Sequence, residues 1–169
     1  SIFNGTRLTN STFKLDIERM RQGWYSDKYF VNIAQTLQVL AQNNYRFAGR
    51  SPVLDKLGID PTTILTGDIE IEMQFFTRRQ PRALIAGVDK ALSMLRHCTG
   101  YFEDNNNFVE SWSHLRVEAV QDGVMTSYNG DPSRVQPVLR VKGRYLDFGL
   151  METLILGALA RGSRIATNV

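Results

Sequence analysis

The chain has 169 residues, 43% hydrophobic and 22% charged, with a formal net charge of +3. That length fits one domain, or one domain and the beginning of another, and the composition excludes wholesale disorder. The small positive charge forms no basic run or basic–aromatic stripe, so no nucleic-acid partner is indicated. The single cysteine, Cys98, rules out an internal disulfide or a cysteine metal cluster and favours a reducing, cytoplasmic setting. No apolar run reaches ~18 residues and no basic-then-apolar leader opens the chain, so neither a membrane span nor a signal peptide is expected.

Residues 1–12 are rich in turn formers and read as an arm. Ile17, Met20 and Arg21 follow on a short helical turn over 15–22, which Gly23 ends. Ser26 suits an N-cap and Asp27 the first turn of a helix over 27–43. Its apolar stripe is Phe30, Ile33, Ala34, Leu37, Leu40 and Ala41. Tyr29 lies at the edge of the stripe. It reads either as a boundary tyrosine with its tip in solvent or as a ring offered to a ligand beside a helix N-terminus, which favours anions. Residues 44–66 are irregular. Within them, Ser51, Pro52 and Gly58 mark a short helix.

Ile69, Ile71, Met73 and Phe75 alternate with Glu70, Glu72 and Gln74, which predicts a half-buried antiparallel strand. The same alternation puts Glu70 and Glu72 on the solvent face rather than in a catalytic carboxylate pair. From Arg82 to Cys98 the apolar positions Leu84, Ile85, Val88, Ala91, Leu92 and Leu95 recur at helical spacing, so one helix is expected there, closed by Gly100. Residues 101–113 read as a loop. A strand over 115–121, the hairpin signal Asp122-Gly123, a return over 124–128 and a strand over 135–141 read as a meander. The tail is a strand, a glycine turn, a helix over 150–161 apolar on most faces, and a new extended segment from Arg164. Such a helix needs a socket on most sides. The pattern as a whole is α+β.

No phosphate-binding Gly-x-x-x-x-Gly-Lys-[Ser/Thr], no Gly-x-Gly-x-x-Gly after a strand and no Gly-x-Ser-x-Gly elbow is present. His97 and His114 have no acidic or histidine partner at ligand spacing and read as surface or capping residues, so no metal ligand or catalytic residue is assigned from spacing.

Four stretches together resemble the nicotinate phosphoribosyltransferases. Ser26-Asp27-Lys28-Tyr29-Phe30 is similar to that family's Asp-x-Tyr at the start of a long helix. Phe75-Phe76-Thr77-Arg78-Arg79-Gln80-Pro81 is similar to its aromatic-x-Arg-x-x-Pro strand end, with Ala86-Gly87 following. Val117 to Gly123 is similar to the strand-turn that opens its small barrel. Pro137 to Gly143, Phe148 to Thr153, and Ser163-Arg-Ile-Ala-Thr167 are similar to its strand, Glu-Thr helix and Ile-Ala-Thr entry to the main barrel.

The resemblance implies N-terminal helices with antiparallel strands and a barrel-sandwich element, leading into the start of an irregular α/β barrel. Residues 1–145 would form a substrate-covering domain, and residues 146–169 the linking helix and barrel entry. The implied reaction joins nicotinate to phosphoribosyl pyrophosphate, giving nicotinate mononucleotide for NAD synthesis, with Mg²⁺ and ATP as the family's cofactors. It nominates Asp27, Tyr29 and Thr167 as substrate-binding positions and implies a homodimer, in which Tyr29 stacks on the pyridine ring in the neighbouring subunit's site. The histidine that takes the phosphoryl group in this family is expected beyond Val169, so residues 1–169 alone are expected to be inactive. Quinolinate or nicotinamide phosphoribosyltransferase is the close alternative. A lipoyl- or biotinyl-like carrier is the distant one, disfavoured because the 121–124 hairpin tip has no lysine.

Overall fold

The computed structural model describes residues 6–104 and 106–168; the remainder of the expected arm (1–5), Asn105 and Val169 lie outside the described residues. The helices are α1 (Ile17–Arg21), α2 (Lys28–Gln42), α3 (Pro52–Lys56), α4 (Val88–Cys98), α5 (Tyr145–Phe148) and α6 (Glu152–Asn168). The strands are β1 (Glu70–Phe76), β2 (Arg82–Leu84), β3 (Gly100–Phe102), β4 (Phe108–Glu110), β5 (Arg116–Ala119), β6 (Met125–Ser127) and β7 (Pro137–Arg144). The fold is α+β, as the sequence pattern implies. Its strands form one three-stranded antiparallel sheet, β1-β7-β5, and two ribbons, β2-β6 and β3-β4. No closed barrel appears among the described residues, so the expected barrel-sandwich is an open sheet with flanking ribbons.

β1 keeps the predicted alternation. Phe75 is buried, Ile71 and Met73 half-buried, and the two glutamates face out. There Arg140 on β7 lies 2.6 Å from Glu118 on β5 and 3.7 Å from Glu72 on β1, so the carboxylates belong to a cross-strand ion ladder. The core sits beneath, where Val138, Leu139 and Val141 of β7 meet α4 (Val88, Ala91, Leu95) and the Phe148–Leu159 stretch. No helix of the described residues is long and apolar enough to cross a membrane.

Several expectations change in three dimensions. The helix expected over 82–98 begins only at Val88. Gly87, at φ +99°, stands before α4, and Arg82–Leu84 pairs with β6 as a strand. Ile85 continues that pairing, its N–H reaching the Val124 carbonyl at 2.8 Å. The expected meander is also absent. Asp122-Gly123 does turn, but the strands on either side enter different sheets, β5 against β7 and β6 against β2. The 101–113 loop is largely a ribbon, with Phe102 packed edge-on against Phe108 at 5.1 Å.

In the tail, the extended segment expected from Arg164 is instead the last turns of α6. Ser163 and Thr167, one turn apart on the same face, bond the backbone of the 84–86 segment, and those bonds require helical spacing. Nor is α6 buried on most sides. Leu154, Ile155 and Leu159 are buried, but Leu156 is 46% and Ile165 57% exposed. Ser26, expected as the α2 cap, donates instead to the Leu150 carbonyl at 2.6 Å, and Asp27 occupies the N-cap position without a side-chain capping bond. Ser51 does cap α3 as expected, with Pro52 at its first position. The stripe on α2 is only partly covered: Phe30 is buried while Ile33 remains exposed.

The turn at Asp122 has a second role. Its buried carboxylate accepts from the N–H groups of Val88 (2.8 Å) and Asp89 (3.1 Å), closing the N-terminus of α4 from 33 residues away. Asp122→Ala would leave two buried N–H donors without an acceptor. The expected loss is about 1–3 kcal/mol, read as a lower urea midpoint at unchanged m-value. An unchanged midpoint would remove the cap from the account of stability.

Candidate functional site

The candidate site lies where the first turns of α2 and α6 meet. Chain segments 126 residues apart are joined there by short polar contacts. The Asp27 N–H donates to the Thr153 hydroxyl at 3.3 Å, and that hydroxyl donates to Asp27 Oδ2 at 3.3 Å. Together with the Ser26–Leu150 bond they fix the angle at which α2 leaves α6. Tyr29 is one residue into α2 from this junction. The residue is 55% exposed, and its ring lies 4.2 Å from the ring of Phe30, tilted by 41°. Phe30 is 6% exposed, so a buried aromatic backs an exposed one.

Three titratable groups at the junction shift in the same direction. The Tyr29 phenol is raised above its ordinary value by desolvation, then by Asp27 and Glu152. The Glu152 carboxyl is raised by burial, then by Asp27. The Tyr145 phenol is raised by burial, then by Glu152 and Tyr29. Each group feels the next, so Asp27, Tyr29, Tyr145 and Glu152 form one acidic and phenolic cluster.

Of the sequence-derived positions, the structure brings Asp27 and Tyr29 together. Thr167 is elsewhere, near the far end of α6, roughly 21 Å away at 1.5 Å per residue. Its hydroxyl accepts from the Leu84 N–H at 2.9 Å and donates to the Ser163 carbonyl at 2.7 Å. Glu152, Thr153 and Tyr145 join the cluster without having been singled out as site residues. His97 lies in the last turn of α4, where its carbonyl accepts from Arg21 at 2.8 Å, and His114 ends a 3-10 turn, Trp112–His114. Among the described residues no group of three or more His, Cys, Asp or Glu is placed to hold a metal ion.

One cleft borders the junction and a second lies further along α6. The first, of about 470 Å³, separates α2 from the β3-β4 ribbon and is lined by Gln35, Gln38, Tyr101, Phe102, Phe108 and Leu150. The guanidinium on its wall, Arg21, is already engaged by the His97 carbonyl and by Glu110 at 2.7 Å. The other, of about 360 Å³, runs along the exposed side of α6 past Phe76, Arg78, Arg79 and Arg164. One wall of it is residues 75–79 at the end of β1.

Because burial and Asp27 raise the Glu152 carboxyl, ionising it opposes folding. The stabilisation that its proton provides is complete at acid pH and is lost as pH rises through the raised value. Glu152→Gln should therefore raise the melting temperature at pH 7, and the gain should vanish below the ordinary glutamate range. A lower melting temperature at pH 7 would mean that the carboxylate is held by a favourable contact.

Residues 60–163 match the family model described as quinolinate phosphoribosyl transferase, N-terminal domain. No curated protein matches the chain. Among solved structures, the chain is similar to the crystal structure of nicotinate-nucleotide pyrophosphorylase from Pyrococcus furiosus. The TM-score is 0.54 at 20% identity, over 92% of this chain and 29% of that one. At that identity the likeness is one of fold, and this chain spans less than a third of that relative's length.

Proposed function

This chain belongs to the quinolinate phosphoribosyl transferase family through its N-terminal domain, and on that premise we propose that it is the substrate-covering part of an enzyme that transfers phosphoribosyl to a pyridine carboxylate. The observation that carries the reading is Tyr29: an exposed ring on the first turn of a helix, backed by buried Phe30 and fixed by the Ser26–Leu150 and Asp27–Thr153 contacts. The finer reading takes nicotinate as the acceptor, with nicotinate mononucleotide as product. Quinolinate is the second reading, favoured by the description of the matching family model.

In this reading the pyridine ring lies on the Tyr29 face. The ring nitrogen bonds to the anomeric carbon of phosphoribosyl pyrophosphate as the bond to pyrophosphate breaks. The electron pair leaves with pyrophosphate, and the ring nitrogen ends as a pyridinium cation. Tyr29 orients the ring, and stacking contributes about 0.5–1.5 kcal/mol beyond buried area. Asp27 and Glu152 place negative charge beside a ring that becomes positive, which favours the transition state over the neutral-ring ground state. Bound Mg²⁺ would help hold the departing pyrophosphate; ATP is proposed as the energy-coupling nucleotide. The enzyme is further proposed to be cytoplasmic and homodimeric, with Tyr29 serving the neighbouring site.

The test is a product assay on the full-length protein with nicotinate, quinolinate and nicotinamide. Nicotinate mononucleotide from nicotinate is expected; no product with any of the three would overturn the reading. Tyr29→Ala should raise the nicotinate KM roughly tenfold, as one lost aromatic contact implies, with kcat and melting temperature little changed. An unchanged KM would remove Tyr29 from the site. Light scattering should give twice the protomer mass; a monomer that turns over normally would contradict a ring supplied across subunits.

A further inference from the structure

The stretch that ends β1 plays no part in the Tyr29 junction, yet residues 75–79 form one wall of the second cleft. β1 shifts register between Phe75 and Phe76 and stops there. In a continuing strand Arg78 and Arg79 would point to opposite faces; past the strand end, both line the same cleft. Arg78 lies over the Phe76 ring, its guanidinium carbon 5.5 Å from the centroid. The Arg79 backbone N–H reaches the Thr77 hydroxyl at 3.2 Å, and its guanidinium donates to the Asn168 side-chain oxygen. Asn168 stands one turn beyond Arg164 on the same side of α6, so Arg164, which also lines the cleft, is a neighbour of Arg79. Three arginines thus border one space of about 360 Å³ that no carboxylate lines. None of the three has an ion-pair partner among the described residues. Elsewhere Arg7, Arg21, Arg140 and Arg144 each hold a carboxylate within 2.7 Å or, for Arg144, 2.6 Å.

We propose that this cleft binds a phosphate group, free or carried on a small ester, with Arg78, Arg79 and Arg164 as its ligands. Like charges kept together without a counter-ion repel one another. Here two of them are positioned by neutral partners, a ring and an amide, so their charge stays available to an anion from outside. The forked N–H donors of arginine match phosphate oxygens in pairs. The rest of the lining is apolar: Phe75, Ile85, Val138 and Leu159, with exposed Leu156 beside them. An apolar lining with a few convergent polar groups suits an ester, whose carbon body covers the floor while its phosphate meets the arginines.

The experiment is phenylglyoxal modification of the full-length protein, with the modified arginines located by peptide mass spectrometry. Rates are compared in inorganic phosphate, in phenyl phosphate and in sodium chloride of the same ionic strength. Near-saturating phosphate should slow modification of Arg78, Arg79 and Arg164 roughly tenfold relative to chloride, while Arg50 and Arg96, exposed and outside the cleft, keep their rates. Half-protection by phenyl phosphate at a roughly tenfold lower concentration than by inorganic phosphate, as burial of a small apolar body implies, would assign the site to an ester; equal concentrations would assign it to free phosphate. Arg164→Gln should raise the half-protecting concentration for Arg79 roughly tenfold. Arg164→Lys, which keeps the charge without the fork, should raise it less. Equal rates in phosphate and chloride, equal slowing of Arg50 and Arg96, cleft arginines that stay unreactive in chloride, or unchanged protection of Arg79 in Arg164→Gln would each overturn the proposal. No turnover is read, so a failed product assay leaves this result standing, and the reverse holds too.

Discussion

The fold depends on the seam between α6 and the backbone that joins β2 to α4. The Ser163 hydroxyl bonds both the N–H (3.1 Å) and the carbonyl (3.2 Å) of Ala86, and Thr167 receives the Leu84 N–H. Hydroxyls alone would not bring a helix so close. A side chain at Gly87 would meet the Ala158 carbonyl at 2.4 Å, and one at Gly162 the Ala86 carbonyl at 2.6 Å. Both glycines are required by this approach, and Gly87 also by its positive φ. From the other side, Asp122 holds the N–H groups of Val88 and Asp89. The segment is therefore gripped on both sides, which leaves few buried polar groups of its backbone unmatched.

Two guanidinium latches carry this order outward. Arg7 reaches the buried Asp89 carboxylate at 2.7 Å and the carbonyls of Ala119 and Val120 at 2.9 Å, drawing the arm onto α4 and β5. Arg144, at the end of β7, bonds Asp147 (2.6 Å) and Asp68 (2.9 Å) and lies over the Tyr101 ring. Burial alone would lower its pKa, but the two carboxylates outweigh burial and raise it. These pairs are partly buried and fully hydrogen-bonded, the condition in which losing one partner is costly. Cys98 shows the opposite environment: burial pushes its thiol up to about 11, so it is a core side chain rather than a nucleophile.

What could be read in the chain was local. The β1 alternation, the edge position of Tyr29 and the Ser51–Pro52 helix start each depend on neighbours a few residues away. The failures share a different cause. Leu84 and Ile85 continue the helical spacing of α4, and a short apolar run does not say whether it is strand or helix; the pairing of Leu84 opposite Met125 and the bond from the Ile85 N–H to the Val124 carbonyl decide it. Gly162-Ser163 read as a helix end, whereas the glycine is there to admit the Ala86 carbonyl. The site was legible in the same partial way. Asp27 and Tyr29 share one helix turn and a motif. Glu152 enters only because Thr153, 126 residues on, returns to Asp27.

The continuity of α6 sets a limit on how this chain can change in length. One of its ends registers with the turn that carries Tyr29, through Thr153, and the other with β2, through Ser163 and Thr167. A residue inserted between them would advance one end by about 1.5 Å and rotate it by about 100°, so both sets of bonds could not be made at once. The Asn-rich turn of the β3-β4 ribbon carries no such constraint, being closed by its own Asp104 and Glu103 contacts. Insertions and deletions should therefore collect in that turn, while the spacing from Thr153 to Thr167 stays fixed like the interval between two marks on a ruler.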